Sequence, residues 1–199
     1  MTDTPAPLTP RALKAVAVDE DGPVLRVRLN PERGDDTLGV AALDDLLAVL
    51  DGLHERPDLR VLVLSSDGAD FCLGADRTEY QAALAGDPSG GELRRVADKA
   101  HRLCQALETT HVVTVARLHG KVVGAGLALA SYCDLRAAAD TTRFRMPEVG
   151  LGLPPAWGGA MGRLVAEAGD PALWGGTQEQ LDRCADLGLT TEVVPGVSA

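Results

Sequence analysis

Aromatic residues are scarce in this chain: two Trp, two Tyr and two Phe make up 3% of its 199 residues. The core must therefore be filled with Leu, Val and Ala, and few aromatic groups are left to line a pocket. Long apolar runs are missing too. No window approaches the ~18 uninterrupted apolar residues of a membrane-spanning helix. The opening Met1-Thr2-Asp3-Thr4-Pro5 lacks the basic and apolar stretches of a secretory signal. The four cysteines, Cys72, Cys104, Cys133 and Cys184, lie far apart with no CxxC pair. That spacing argues against a zinc site or a disulfide framework and for reduced thiols in a cytoplasmic protein. Basic clusters are also absent, and the formal net charge is -10. Such a chain is a poor nucleic-acid binder. It does not steer a polyanionic ligand from a distance, so any phosphate recognition must come from a few local basic groups or backbone amides. GxGxxG, GxxxxGK[ST], GxSxG and HExxH do not occur, and no motif suggests a metal or a redox cofactor.

The residues that are present describe an ordinary folded domain. Apolar residues are 45% and charged residues 24%, and the length fits one domain better than two. Residues 1–12 hold three prolines and few apolar groups, so they read as a flexible leader to a single domain over 13–199. Residues 14–19 and 24–30 alternate and are rich in Val and Leu, with the turn Glu20-Asp21-Gly22-Pro23 between them, which predicts a hairpin. Val40, Leu43, Leu46, Leu47, Leu50 and Leu53 form one helical stripe, stopped by Pro57. The apolar runs 61–64 and 112–116 predict strands buried on both faces, as in parallel sheets. Residues 92–107 carry the clearest helical periodicity. Further elements are expected as a helix at 127–132, a strand at 135–138, helices near 160–168 and 178–187, and a strand at 191–194. Residues 77–91 and 150–159 have no legible pattern. Strands alternating with helices give an α/β fold.

Two loops each follow a predicted strand and run into a helix. The first is Phe71-Cys72-Leu73-Gly74-Ala75-Asp76 and the second His119-Gly120-Lys121-Val122-Val123-Gly124-Ala125-Gly126. Small residues let backbone N–H groups approach a ligand, and at a helix start those groups are unsatisfied and carry partial positive charge. Two such loops facing one point could give two donors to one developing oxyanion. Either loop alone is equally explained by the backbone angles of a βα turn.

In order and spacing these segments resemble the enoyl-CoA hydratase/isomerase (crotonase) superfamily. That family's F-x-x-G-A-D loop is similar to Phe71–Asp76. Its [NH]-G-x-x-x-G-x-G turn and C-D pair match His119–Gly126 and Cys133-Asp134. A P-E-x-x-x-G-x-x-P segment, a G-G followed by R-L, and a closing G-L-[VT]-x-x-V-x-P match residues 147–155, 158–164 and 188–195. The resemblance spans roughly residues 15–196. It implies a crotonase-like spiral core of ββα turns with surrounding helices, in trimers or paired-trimer hexamers. It implies an acyl thioester substrate whose carbonyl is held by the N–H groups of Ala75 and Ala125, with Leu73, Gly74, Asp76, Gly124, Gly126 and Ala128 around the substrate. Family members usually continue past the V-V-P segment, so the C-terminal helical region is expected to be shortened. Coenzyme A or phosphopantetheine then enters as part of the substrate, and an acyl carrier protein becomes a candidate partner beside a free small-molecule thioester.

The resemblance also implies acids. Two glutamates share the work in the hydratases. One position is Glu148, in the P-E motif; the other is Ala128, which cannot move a proton. One carboxylate suffices for double-bond isomerisation or a related lyase step, and the oxyanion hole could equally serve thioester decarboxylation or hydrolysis. A non-catalytic acyl-thioester binder or partner subunit is the alternative. The neighbouring polar residues all have plain structural readings. Asp76 fits a helix cap, Glu79 a solvated helix face, Asp134 and His119 structural contacts, and Cys72 a nucleophile only if a base stood beside it. Glu148 itself could be a cap or an ion-pair partner.

Overall fold

Residues 16–29 show how the sequence builds its first unit. Val16–Asp21 (β1) and Val24–Leu29 (β2) pair antiparallel, Asp21 opposite Val24. The turn between them is Gly22-Pro23 alone, with Gly22 at φ 57°, two residues tighter than the four-residue turn signal. Every second side chain of β2 points inward, so Leu25, Val27 and Leu29 are buried. The chain is seen in a computed structural model that describes residues 13–29, 36–150, 157–160, 162–164 and 192–194, the last three and Val149-Gly150 by backbone only. The expected leader at 1–12 and the helix near 178–187 lie outside the described residues, as does most of the helix near 160–168.

Val40–Gly52 (α1) follows the predicted stripe, burying Ala42, Leu43, Leu46, Val49 and Leu50, and runs into a 3-10 turn before Pro57. Val61–Ser66 (β3), Val113–Leu118 (β4) and Leu135–Ala139 (β6) then add parallel to β2 in turn, and Glu192–Val194 (β8) closes a six-stranded sheet of order β1-β2-β3-β4-β6-β8. Between β3 and β4 lie Arg77–Gly86 (α2) and Gly91–Thr109 (α3), and Ala125–Tyr132 (α4) precedes β6. Lys121–Val123 (β5) and Arg143–Arg145 (β7) make a second, two-stranded parallel sheet, and β7 leads into a short helix, Pro147–Gly150 (α5). The architecture is mixed α/β, as expected.

Burial corrects one expectation. β3 and β4 are not buried on both faces: Val61 and Val63 are half-buried, and Val113 is 45% exposed. The helices cover one face of the sheet, so alternate residues such as Leu62, Leu64, Thr114 and Ala116 go inside. The apolar run is not a two-sided signal because β-branched residues suit any half-buried strand.

Two polar clamps fix this frame. Asp45 of α1 accepts the N–H groups of Lys14 and Ala15 at 2.6 and 2.7 Å. Buried Arg56 donates to both oxygens of Glu20, each at 2.8 Å, and to both of Asp58, at 2.9 and 2.7 Å. These bonds hold both carboxyls below their ordinary value, the guanidinium being the largest cause for each. A carboxyl depressed in the folded state contributes stability above its unfolded value near 4 and loses it as pH falls through the folded value. Arg56→Met is therefore expected to lower the Tm at pH 7 by about 5 °C. Thermal melts should show the difference from wild type shrinking as the pH is taken towards about 3.

Candidate functional site

The first loop is a short strand wedged between two neighbours. Leu38 donates to the carbonyl of Gly74 at 2.8 Å and accepts from the N–H of Asp76 at 3.2 Å. This parallel bridge uses the groups flanking Ala75, so the N–H of Ala75 faces away from Leu38. On the other side Cys72 donates to Lys121 at 3.2 Å and accepts from Val123 at 2.8 Å, which ties the first loop to the second. Gly74 sits at φ 103°, and a Cβ there would stand 3.4 Å from the carbonyl of Val123. A side chain at this position would be strained and pressed on the second loop.

The second loop turns at Gly124, φ 51°, whose own N–H donates to the carbonyl of Arg145 at 3.0 Å. Ala125 is the first residue of α4, where N–H groups have no partner within the helix. The backbone N–H groups of Ala75 and Ala125 have no hydrogen-bond partner among the described residues. Gly126 carries no side chain where α4 meets the first loop: a Cβ there would stand 2.6 Å from that of Cys72. At the far end of α4, buried Arg136 donates through Nη1 to the carbonyls of Ala130, Ser131 and Cys133 at 3.1, 3.3 and 2.7 Å. A cation on the C-terminal carbonyls complements the helix dipole.

Glu148 arrives from the small sheet. β7 pairs with β5 so that Arg145 stands opposite Val123, and three residues later the Glu148 carboxyl lies over Gly124. A Cβ on Gly124 would be 2.8 Å from Oε1 of Glu148. Its Oε2 is buried and has no hydrogen-bond partner among the described residues. The cap and ion-pair readings of Glu148 thus find no support among the described residues. Among the described residues, two N–H groups without a partner lie on adjoining loops and, against the glycine that precedes one of them, stands a carboxylate with an unpartnered buried oxygen. Ala128 lies one turn into α4, 2% exposed, and contributes no ionisable group.

The other polar candidates take structural roles. Asp76 caps α2, accepting from Thr78 at 2.8 Å and Glu79 at 3.2 Å. Glu79 is not on a solvated face: its carboxylate accepts the Val40 N–H at 2.7 Å at the start of α1. Asp134 holds the N–H and hydroxyl of Thr114, both at 2.8 Å, and a ring nitrogen of His119 meets the Gly68 carbonyl at 2.9 Å. Cys72 is fully buried, and desolvation pushes its thiol up to about 12. A thiol so placed is no nucleophile. Cys104 and Cys133 are buried and raised to about 12 for the same reason. Peptide mapping after iodoacetamide treatment of the native protein at pH 8 should find these three thiols unlabelled, and fully labelled in denaturant.

A cleft of about 620 Å³ opens beside the two loops, lined by Leu73, Val123, Phe144 and Pro147 together with four cations, Arg77, Lys121, Arg143 and Arg145. Of this lining, the sequence pattern marked Leu73 and not the cations. Lys121 and the two arginines are separated by 22 residues or more of chain, and only the pairing of β5 with β7 makes them neighbours. The Arg-Phe-Arg alternation was the available signal. Among the described residues no cluster of His, Cys, Asp and Glu could hold a metal ion, and no helix is long and apolar enough to cross a membrane.

Comparison with known proteins bears on the family and the fold. Residues 19–196 match the family model described as enoyl-CoA hydratase/isomerase. An enoyl-CoA isomerase/hydratase of Mycosarcoma maydis is 33% identical over 147 residues, covering 72% of this chain and 52% of that protein. The crystal structure of an enoyl-CoA hydratase from Bacillus anthracis superposes with a TM-score of 0.77 at 27% identity, covering 92% of this chain and 70% of that one. An enoyl-CoA hydratase structure from Mycobacterium smegmatis gives a TM-score of 0.80 at 25% identity, with coverage of 92% and 70%. The chain spans about half the length of the first relatives it matches, 52% and 54%.

Proposed function

The chain belongs to the enoyl-CoA hydratase/isomerase family, and from that premise we propose that it moves a double bond in an acyl thioester through an enolate, with Glu148 as the only proton carrier. The observation that carries this reading is the carboxyl of Glu148 over Gly124, with one buried oxygen unpartnered among the described residues. The N–H groups of Ala75 and Ala125 hold the thioester oxygen, and their bonds strengthen as it gains charge. Glu148 takes a proton from Cα of a 3-enoyl thioester. The electron pair moves onto the carbonyl oxygen, then returns through Cα as Glu148 gives the proton to Cγ. The product is the 2-enoyl thioester, with no net gain or loss of atoms. Leu73, Gly74 and Asp76 of the first loop, Gly124 and Gly126 of the second, and Ala128 of α4 surround the reacting group.

Hydration needs a water fixed between two carboxyls. With alanine at 128, no second carboxyl stands at that position to orient the water together with Glu148. No resident metal or redox group is needed for a proton shuttle; coenzyme A or phosphopantetheine comes with the substrate. The test is product analysis by NMR with 3-hexenoyl-CoA and 2-hexenoyl-CoA. Isomerisation should run at least ~10²-fold faster than formation of the 3-hydroxyacyl product. A 3-hydroxyacyl product at a comparable rate would overturn the single-carboxylate mechanism. A protein that binds both esters and converts neither would be a thioester binder instead.

A further inference from the structure

The chain carries ten more negative than positive charges, yet four cations gather at one cleft, Arg77, Lys121, Arg143 and Arg145, all on exposed residues. Lys121 and Arg143 are direct cross-strand partners in the small parallel sheet. Like charges placed so are destabilising, and their repulsion is relieved when an anion arrives. Internal neutralisation is slight. Lys121 meets Asp70 at 3.4 Å with its own side chain 63% exposed, Arg143 donates to the carbonyl of Thr142, and Arg77 and Arg145 have no ion pair among the described residues. Leu73 stands on the same rim, 37% exposed. An apolar residue among exposed cations, at a cleft beside the two loops, has the composition of a protein-docking surface.

We propose that this face docks the acidic surface of a carrier protein, which delivers the acyl group on a phosphopantetheine arm into the cleft. The inference rests on the thioester reading of the site. A protein partner fits better than a free nucleotide carrier. The four cations are exposed, and Phe144, the aromatic residue that lines the cleft among the described residues, is itself buried and offers no open ring for an adenine to stack on. Charge complementarity of this kind acts mainly on the rate and orientation of encounter, and it is sensitive to salt.

The test measures docking and chemistry separately. Fluorescence anisotropy of a labelled bacterial holo-acyl carrier protein, titrated with the full chain at about 20 mM and about 300 mM salt, reads docking without turnover. The wild type should bind at low salt and weaken at high salt. Arg143→Glu/Arg145→Glu should bind at least ten-fold more weakly, and Arg143→Lys/Arg145→Lys should recover most of the loss. No binding by the wild type at low salt, or equal binding by the charge-reversed protein, would overturn the proposal. Exchange of α-protons in D2O on butyryl-carrier, butyryl-CoA and butyryl-pantetheine then separates this idea from the enolate reading. The charge reversal should cost the carrier ester at least ten-fold more than the pantetheine ester. An equal loss on the CoA and carrier esters would assign the cations to the phosphates of coenzyme A and also overturn the docking surface. Exchange on none of the three would sink the enolate reading while leaving the anisotropy result to decide the docking.

Discussion

Glu148→Gln is expected to reduce proton transfer on an acyl thioester by about 10³-fold or more while leaving the Kd for that thioester within about threefold. Glutamine keeps the shape of the side chain but cannot accept a proton. General acid–base catalysis contributes roughly 10²–10⁴, and here the upper part of that range applies because no second carboxyl stands at position 128 to share the work. A 10³-fold loss corresponds to about 4 kcal/mol of transition-state stabilisation. Among the described residues the Glu148 carboxyl accepts no hydrogen bond at its buried Oε2, so the substitution breaks no bond to them, and the melting temperature should stay the same or rise. Isothermal titration with a non-reacting thioester and single-turnover rates for both proteins separate the binding and chemical effects. A loss under tenfold would mean that Glu148 is a bystander.

The second large effect is expected at Ala125. This residue opens α4, the one helical position at which proline is favoured, because its missing N–H has no partner within the helix. Ala125→Pro therefore deletes one donor while leaving the helix formed. Removing one donor from an oxyanion hole costs about 10²–10³ in kcat. Ala125→Gly keeps the N–H and serves as the control, with kcat expected within about fivefold of wild type after a small cost in helix propensity. If proline and glycine lowered kcat equally with both proteins folded, the N–H of Ala125 would not be a catalytic donor.

Both loops were legible because small residues beside a predicted strand and helix signal backbone that must come close to something. Phe71 to Asp76 falls where the pattern places it, whereas His119 to Gly126, read as a bend, contains the strand β5. Their mutual contact was not legible. It depends on the bridges from Cys72 to Val122 and from Leu38 to Ala75, which are tertiary pairings of residues 50 and 37 positions apart. β7 was missed because three residues with two arginines make a weak strand signal, and its pairing with β5 is what carries Glu148 to Gly124. α2 was missed for a related reason: it buries no residue fully, so no apolar stripe marks it, and the cap by Asp76 is its main local signal. Glu79 shows the same limit from the other side. Its spacing within α2 suggests a solvated face, whereas its real partner, the Val40 N–H, lies 39 residues earlier. Periodicity reports which face of an element is apolar, not which distant backbone end a carboxylate will reach.

The central claim is that two backbone donors and one carboxylate make an enolate, and α-proton exchange measures that step without needing the natural acyl group. Butyryl-CoA and 3-hexenoyl-CoA would be incubated in D2O and followed by NMR with wild type and Glu148→Gln in parallel. Deuterium entering Cα with the wild type, and not with the variant, is the predicted result. No exchange by the wild type on either ester, or equal exchange by both proteins, would contradict it.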